Sequence, residues 1–169
     1  RDTARALWGI YAGFTLLAVA VYYGLYLGGV APNMDLYNAV AHALTTLPTG
    51  GFSPEGRSVE AFVPAVQWVM MPFMLVAGTN FALFWYVLRG EPRELVGNAE
   101  FRSYVVVVAV FGAVVSAVLL AVGFAETVSE VGAVAGNVEN AFRQGLFQVI
   151  AIVTTTGYAS MDVNAWSDS

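Results

Sequence analysis

Two short runs in this 169-residue chain carry groups that can strip and hold a cation. They are Pro48, Thr49, Gly50 and Gly51 before Phe52, and Thr154, Thr155, Thr156 and Gly157 before Tyr158. Neither run contains a carboxylate, an imidazole or a thiol. What they offer is backbone carbonyl oxygen. An extended loop whose successive C=O groups face one way replaces the water shell of an alkali cation. Glycine permits the left-handed dihedrals such a loop needs, and threonine adds a hydroxyl oxygen at its inner end. A short helix ending at the loop contributes the partial negative charge of its C-terminus.

The two runs are copies. A shift of 106 residues lays LYNAVAHALTTLPTGGF over FRQGLFQVIAIVTTTGY, with Leu36 on Phe142, Val40 on Leu146, Leu44 on Ile150 and Leu47 on Val153. Gly51 then falls on Gly157 and Phe52 on Tyr158. Apolar residues agree at i, i+4 and i+8, so both copies are expected to be short helices with one buried face. Alignment on the aromatic favours Gly51 over Gly50 as the counterpart of Gly157, with both remaining candidates.

The elements that must position these loops are legible from where charge is missing. Nothing charged lies between Arg5 and Asp35, between Glu60 and Arg89, or between Arg102 and Glu126. Each gap exceeds the roughly 20 apolar residues that cross a bilayer. Three spans are therefore expected, at about 7–30, 61–88 and 104–125, with kinks at Pro64 and Pro72 in the second. The half-polar segments 35–47 and 139–152 are too short to span and end in Thr and Gly. They are expected to re-enter the membrane and return on the same side. The fold class is then an all-α integral membrane protein of repeated helix, pore loop, helix units. One unit covers 1–98, with its loop at 48–53. A second, truncated unit covers 99–169, with its loop at 153–159 and no returning helix.

Charge sorts the ends. Residues 1–7 and 89–102 hold five of the seven arginines and net +1; the remaining loops and tail net −6. The positive-inside bias makes 1–7 and 89–102 cytoplasmic and opens both Thr/Gly loops outward. The acidic outer face, with Glu55, Glu60 and Glu130, is expected to concentrate cations. The chain has a formal charge of −5 and no lysine, which excludes a nucleic-acid footprint. It has no cysteine, and His42 is its single histidine, so a dedicated metal site is unsupported. His42, Asn80, Gln67 and Gln148 are read as hydrogen-bonded packing residues. Glu139 and Arg143 are read as an i,i+4 pair. Tyr22, Tyr23, Tyr26, Trp68, Trp85 and Tyr86 are read mostly as interfacial anchors. No GxSxG elbow accompanies the lone histidine, so a hydrolase is not expected and neither is any enzyme. A non-conducting structural or assembly subunit is the competing reading, although a scaffold has no need of a duplicated Thr/Gly turn.

The run NAVAHALTTLPTGGFSPEG, the AGTNFALFW stretch of the second span, EFRSY, and AFRQGLFQVIAIVTTTGYAS together resemble the Trk/Ktr superfamily of potassium-translocating membrane subunits, nearest to its TrkH branch. The resemblance covers essentially the whole chain. It implies the second of four helix–pore–helix units and the third up to just past its loop. It further implies that Pro48, Thr49, Gly50 and Gly51 form one quadrant of a selectivity filter and Thr154, Thr155, Thr156 and Gly157 another. Potassium is then the transported ion, with no cofactor. The implied setting is the cell membrane, as a homodimer of the full-length protein with a TrkA-like cytoplasmic nucleotide-binding subunit. Pro48 departs from the pattern, because it has no N–H and a fixed φ.

Overall fold

The structure, a computed structural model, describes residues 2–122 and 138–161. Among them every element is helical: α1 (Asp2–Leu27), α2 (Leu36–Thr46), a 3-10 turn (Ser58–Ala61), α3 (Pro64–Ala77), α4 (Phe81–Leu88), α5 (Pro92–Gly97), α6 (Ala99–Val122) and α7 (Val138–Val153). Arg1, residues 123–125 of the third expected span, and Glu126, Glu130, Asp162 and Asp168 lie outside the described residues.

Two of these helices, over Ala4–Leu27 and Ala99–Ala121, are long and apolar enough to cross a membrane. The first stops where its sequence stops supplying side chains. Gly29 turns left-handed with φ 70°, and the amide of Val30 donates back to the Leu25 carbonyl at 2.9 Å, a glycine-terminated cap. The second short segment of the chain then starts at Asp35, whose carboxylate accepts from the Asn38 amide at 2.8 Å. That bond and the helix dipole both favour an acid at this end of α2.

The expected single span over 61–88 is broken. α3 and α4 meet at 95° across Gly78, Thr79 and Asn80. The prolines are not the cause: Pro64 is the first residue of α3, and Pro72 lies within a continuous helix. The break comes from the residues between. Asn80 caps α4 by accepting from the Ala82 amide at 3.0 Å, and the Thr79 hydroxyl donates back to the Leu75 carbonyl at 2.8 Å. At Gly78 the Thr154 methyl and the Tyr104 hydroxyl each stand 2.8 Å from where a Cβ would be. The chain turns where the second Thr/Gly loop presses on it.

α2 packs on α1, and α7 packs on α6 and α3. The α6–α7 approach is close enough that a Cβ on Gly145 would meet the Ser116 hydroxyl at 2.5 Å, the small-residue packing that membrane helices favour. The core between the two copies is rich in methionine, with Met34, Met70 and Met74 fully buried beside Phe147 and Ile150. Tyr22, expected at an interface, belongs to this core and meets Phe73 edge-on at 5.4 Å.

The expected apolar face of α2 is inverted. Leu36, Val40 and Leu44 are exposed, while Asn38, Ala39, His42, Ala43 and Thr46 are buried. In α7 the stripe is mixed: Phe142 is exposed and Ile150 buried. Where water is not the only solvent, polar groups turn inward because only other protein groups can satisfy them.

Candidate functional site

Both Thr/Gly loops leave their helices by the same backbone path. The left-handed residues are Thr49 (φ 56°) and Gly51 (φ 63°) in the first loop, and Thr155 (φ 59°) and Gly157 (φ 75°) in the second. These positions correspond across the 106-residue shift. Gly50 and Thr156, between them, keep negative φ. Alternation of this kind turns successive peptide planes over, which brings neighbouring carbonyls toward one side. A threonine in the left-handed region carries strain that glycine does not, and here it occurs at the same place twice.

The hydrogen bonds repeat in the same register. Thr49 N–H donates to the Thr46 carbonyl at 3.0 Å, as Thr155 N–H does to that of Ile152 at 3.0 Å. Gly51 N–H reaches the Thr45 carbonyl at 3.1 Å, as Gly157 N–H reaches that of Ala151 at 3.0 Å. Two bonds have no twin: Thr154 N–H donates to the Ile150 carbonyl at 2.9 Å, whereas Pro48 has no N–H to offer Leu44, and Gly50 N–H donates to the Thr45 carbonyl at 2.8 Å with no matching bond from Thr156. The Thr154 hydroxyl also donates to the Ile150 carbonyl, at 2.8 Å, and lies 2.7 Å from the Thr156 hydroxyl. Its proton is thus committed to the helix.

The fold brings the two loops into contact. A Cβ on Gly51 would lie 1.8 Å from the Thr156 carbonyl oxygen, so only glycine lets these backbones approach. Gly51, not Gly50, is the dihedral counterpart of Gly157. Tyr158, immediately after the second loop, is 1% exposed and reaches α2 of the first copy, its hydroxyl 2.6 Å from that of Thr45 and 3.1 Å from that of Thr46. Beyond the loops, Glu60 N–H donates to the Ala159 carbonyl at 3.1 Å.

The family model for TrkH, described as a cation transport protein, matches residues 1–169, the entire chain. The chain belongs to the TrkH family. It is 36% identical over 165 residues to the Trk system potassium uptake protein TrkI of Halomonas elongata, covering 96% of this chain and 30% of that relative. It is 28% identical over 167 residues to TrkH of Escherichia coli K12, covering 98% of this chain and 31% of that protein. Against the crystal structure of the potassium transporter TrkH from Vibrio parahaemolyticus it gives a TM-score of 0.80 at 26% identity, over 98% of this chain and 32% of that one. The chain thus spans about a third of the length of the TrkH relatives it matches.

Within this TrkH-family chain, His42 and Gln148 stand in the 106-residue register and each bonds a serine past its loop, though the serines, Ser53 and Ser160, are offset by one position. His42 is buried, with Nδ1 2.7 Å from the Asn38 carbonyl and Nε2 3.0 Å from the Ser53 hydroxyl. Donation from Nδ1 leaves Nε2 to accept from Ser53, the pattern of a neutral imidazole. Gln148, its counterpart, donates from Nε2 to the Ser160 hydroxyl at 3.0 Å. Each side chain ties the short helix before a Thr/Gly loop to a serine just past that loop. His42→Gln is therefore expected to keep transport within about twofold, while His42→Ala loses about 1–2 kcal/mol of stability. Thermal melting in detergent and rubidium uptake by the full-length protein check the pair. A glutamine variant as damaged as the alanine one would show that the imidazole is needed for itself.

Arg143 is 2% exposed and donates to Glu139 at 3.0 Å, to the Gln67 side-chain oxygen and to that of Asn140. Trp68 donates its indole N–H to the same Glu139 carboxylate at 2.9 Å. The i,i+4 pair is present, and it also fastens α7 to α3 through Gln67 and Trp68. Of the acids read as a cation-concentrating rim, Glu55 accepts from the Asn38 amide group at 3.1 Å and Glu60 pairs with Arg57, so both already have partners. Thr45 and Thr46 were not singled out by the sequence. Their only signal was their place three and two residues before Pro48, opposite Tyr158 in a contact the spacing does not reveal.

Proposed function

We propose that this chain forms two of the four walls of an ion path in a Trk-type potassium uptake protein, with potassium as the transported ion. The observation that carries the reading is the twinned loop. Two stretches 106 residues apart share the signs of φ, the hydrogen bonds to their helices and a direct backbone contact. A scaffold gains nothing from left-handed threonines held twice in one register.

In this reading the carbonyls of Pro48, Thr49, Gly50 and Gly51 line one quadrant of the filter. Those of Thr154, Thr155, Thr156 and Gly157 line the next. The ion sheds water onto fixed oxygens, and the C-terminal ends of α2 and α7 add negative potential at that depth. No bond is made or broken and no cofactor is needed. The chain sits in the plasma membrane with residues 1–7 and 89–102 on the cytoplasmic side. The short α5 region then faces the nucleotide-binding regulatory subunit of TrkA type. The full-length protein works as a homodimer. The names of the relatives, Trk system potassium uptake proteins, support the substrate.

The test is uptake by the full-length gene product in cells lacking other potassium uptake. Rubidium or potassium accumulation is expected, and Gly157→Ser is expected to lower potassium over sodium discrimination. The left-handed dihedral costs an L-residue about 1–2 kcal/mol, which corresponds to about tenfold. Unchanged discrimination at matched membrane abundance would overturn the filter assignment.

A further inference from the structure

We infer that the Tyr158 hydroxyl is a positioning group for ion selection, a clasp that sets the spacing of the two loops. The inference rests on the filter reading above and deepens it. Tyr158 follows Gly157 directly, yet its hydroxyl makes its contacts on the other copy: Thr45 Oγ1 at 2.6 Å, Thr46 Oγ1 at 3.1 Å and the His42 carbonyl at 3.1 Å.

Thr45 is where those contacts join the first loop. Its carbonyl accepts the N–H groups of Gly50 at 2.8 Å and Gly51 at 3.1 Å. Its hydroxyl lies 2.8 Å from the carbonyl of Phe52. A hydroxyl has one proton to give and two lone pairs to receive with. The Tyr158 proton has two acceptors in reach, the His42 carbonyl and Thr45 Oγ1, and the Thr45 proton has three carbonyls, Ala41 at 2.9 Å, His42 at 3.3 Å and Phe52 at 2.8 Å. When Tyr158 donates to Thr45 and Thr45 to Phe52, the hydroxyls join the aromatic of the second loop to the Phe52 carbonyl of the first. The aromatic of the second loop thereby holds a backbone oxygen of the first.

The clasp is one-sided. Phe52 occupies the corresponding place in the first copy, has no hydroxyl and is 77% exposed. Two restraints act at the loops themselves, the backbone approach of Gly51 to Thr156 and this hydroxyl, while Glu60 N–H to the Ala159 carbonyl and Ala159 N–H to the Ser58 hydroxyl tie the segments just beyond them. The backbone approach sets how near the loops come. The hydroxyl resists their sliding or closing further around a smaller ion. Loss of the hydroxyl leaves the ring in place and removes that resistance.

The experiment is potassium against sodium competition for uptake by the full-length protein, with membrane abundance measured for each variant. Tyr158→Phe is expected to lower the potassium preference about 3- to 10-fold, the scale of one buried hydrogen bond. Thr45→Val is expected to act in the same direction, and Thr45→Ser, which keeps the hydroxyl, is expected to restore the wild-type ratio. The double variant Tyr158→Phe/Thr45→Val is expected to be no worse than the worse single one, because the two groups form one contact. A purely structural role would lower abundance, or the uptake of both ions equally, and leave the ratio alone; that result overturns the clasp. Gly157→Ser in the same assay separates the two levels. If it shifts the ratio while Tyr158→Phe does not, the clasp alone is wrong. If neither shifts it, the filter reading falls as well.

Discussion

Alanine at Gly51 is expected to take cation uptake by the full-length protein down to background, while alanine at Gly50 leaves it within about threefold. The difference is geometric. At Gly51 a Cβ would stand 1.8 Å from the Thr156 carbonyl oxygen and 2.9 Å from its carbon. Both are backbone atoms, so no side-chain rotation relieves the clash. Thr156 has little room to retreat, since it lies between the left-handed residues Thr155 and Gly157 and its hydroxyl is held by Thr154. The left-handed φ of 63° at Gly51 adds about 1–2 kcal/mol for any L-residue. One loop must leave the other, and under the proposed filter reading their carbonyls then no longer face a common ion. At Gly50 the added carbon would meet the Phe52 ring at 3.5 Å and the Thr45 carbonyl oxygen at 3.7 Å, both ordinary contacts. Rubidium uptake at matched membrane abundance decides between them. Equal losses at the two glycines would mean that the loop contact does not matter for transport.

The second large effect concerns stability, and it falls on the less buried member of an ion pair. Removing Glu139 is expected to destabilise the protein more than removing Arg143. Arg143 is 2% exposed, and Glu139 is its one carboxylate partner among the described residues, itself 55% exposed. Glu139→Ala leaves a guanidinium buried near the positive end of α7 with only amide oxygens to face. A buried charge stripped of its partner costs about 3–5 kcal/mol, and the lower figure applies because solvent already weakens this pair. Arg143→Met removes the charge together with its desolvation cost. It deprives Gln67 and Asn140 of one donor each, for about 1–2 kcal/mol. Melting temperatures in detergent should rank the variants in that order, and the reverse order would show that the guanidinium network itself carries the stability.

Acid provides a second readout of the same pair. Burial alone would raise the Glu139 carboxyl, but the Trp68 indole and the Arg143 guanidinium outweigh it and hold the group below its ordinary 4.5. A depressed carboxyl contributes stability that is fully present above its unfolded value and is lost as pH falls through its folded one. The wild-type protein should lose stability on acidification below about 4.5 through this pair, and Glu139→Ala should lack that component.

How much of this was legible in the residues depended on whether the signal was local. The charge gaps marked α1 and α6 because a long apolar helix needs little else. The 106-residue register was legible too, and it extends to the hydrogen bonds of Thr49 and Thr155 because those bonds are made within a few residues. The break between α3 and α4 was not legible. Pro64 and Pro72 are the conspicuous breakers, but one starts a helix and the other is absorbed by it. Gly78, Thr79 and Asn80 end the helix through a neighbour, Thr154, that is 76 residues away from Gly78 in the chain. The buried face of α2 was misread because an apolar stripe points inward only when water is what surrounds the protein. The reach of Tyr158 to Thr45 spans 113 residues, and the spacing of neither residue announces it.

Pro48 gives the two copies different inheritances. In a ring of identical subunits, one codon change is imposed on every wall of the pore at once, and most such changes are ruinous. In the proposed pore the walls are separate stretches of one gene. The first copy lacks the amide that the second has in Thr154 and uses Gly50 N–H on the Thr45 carbonyl instead, so the two sides are tied to their helices by different bonds. Duplication therefore turns an all-or-none lesion into a graded adjustment, in which the tolerance of each wall can drift while the others keep their shape.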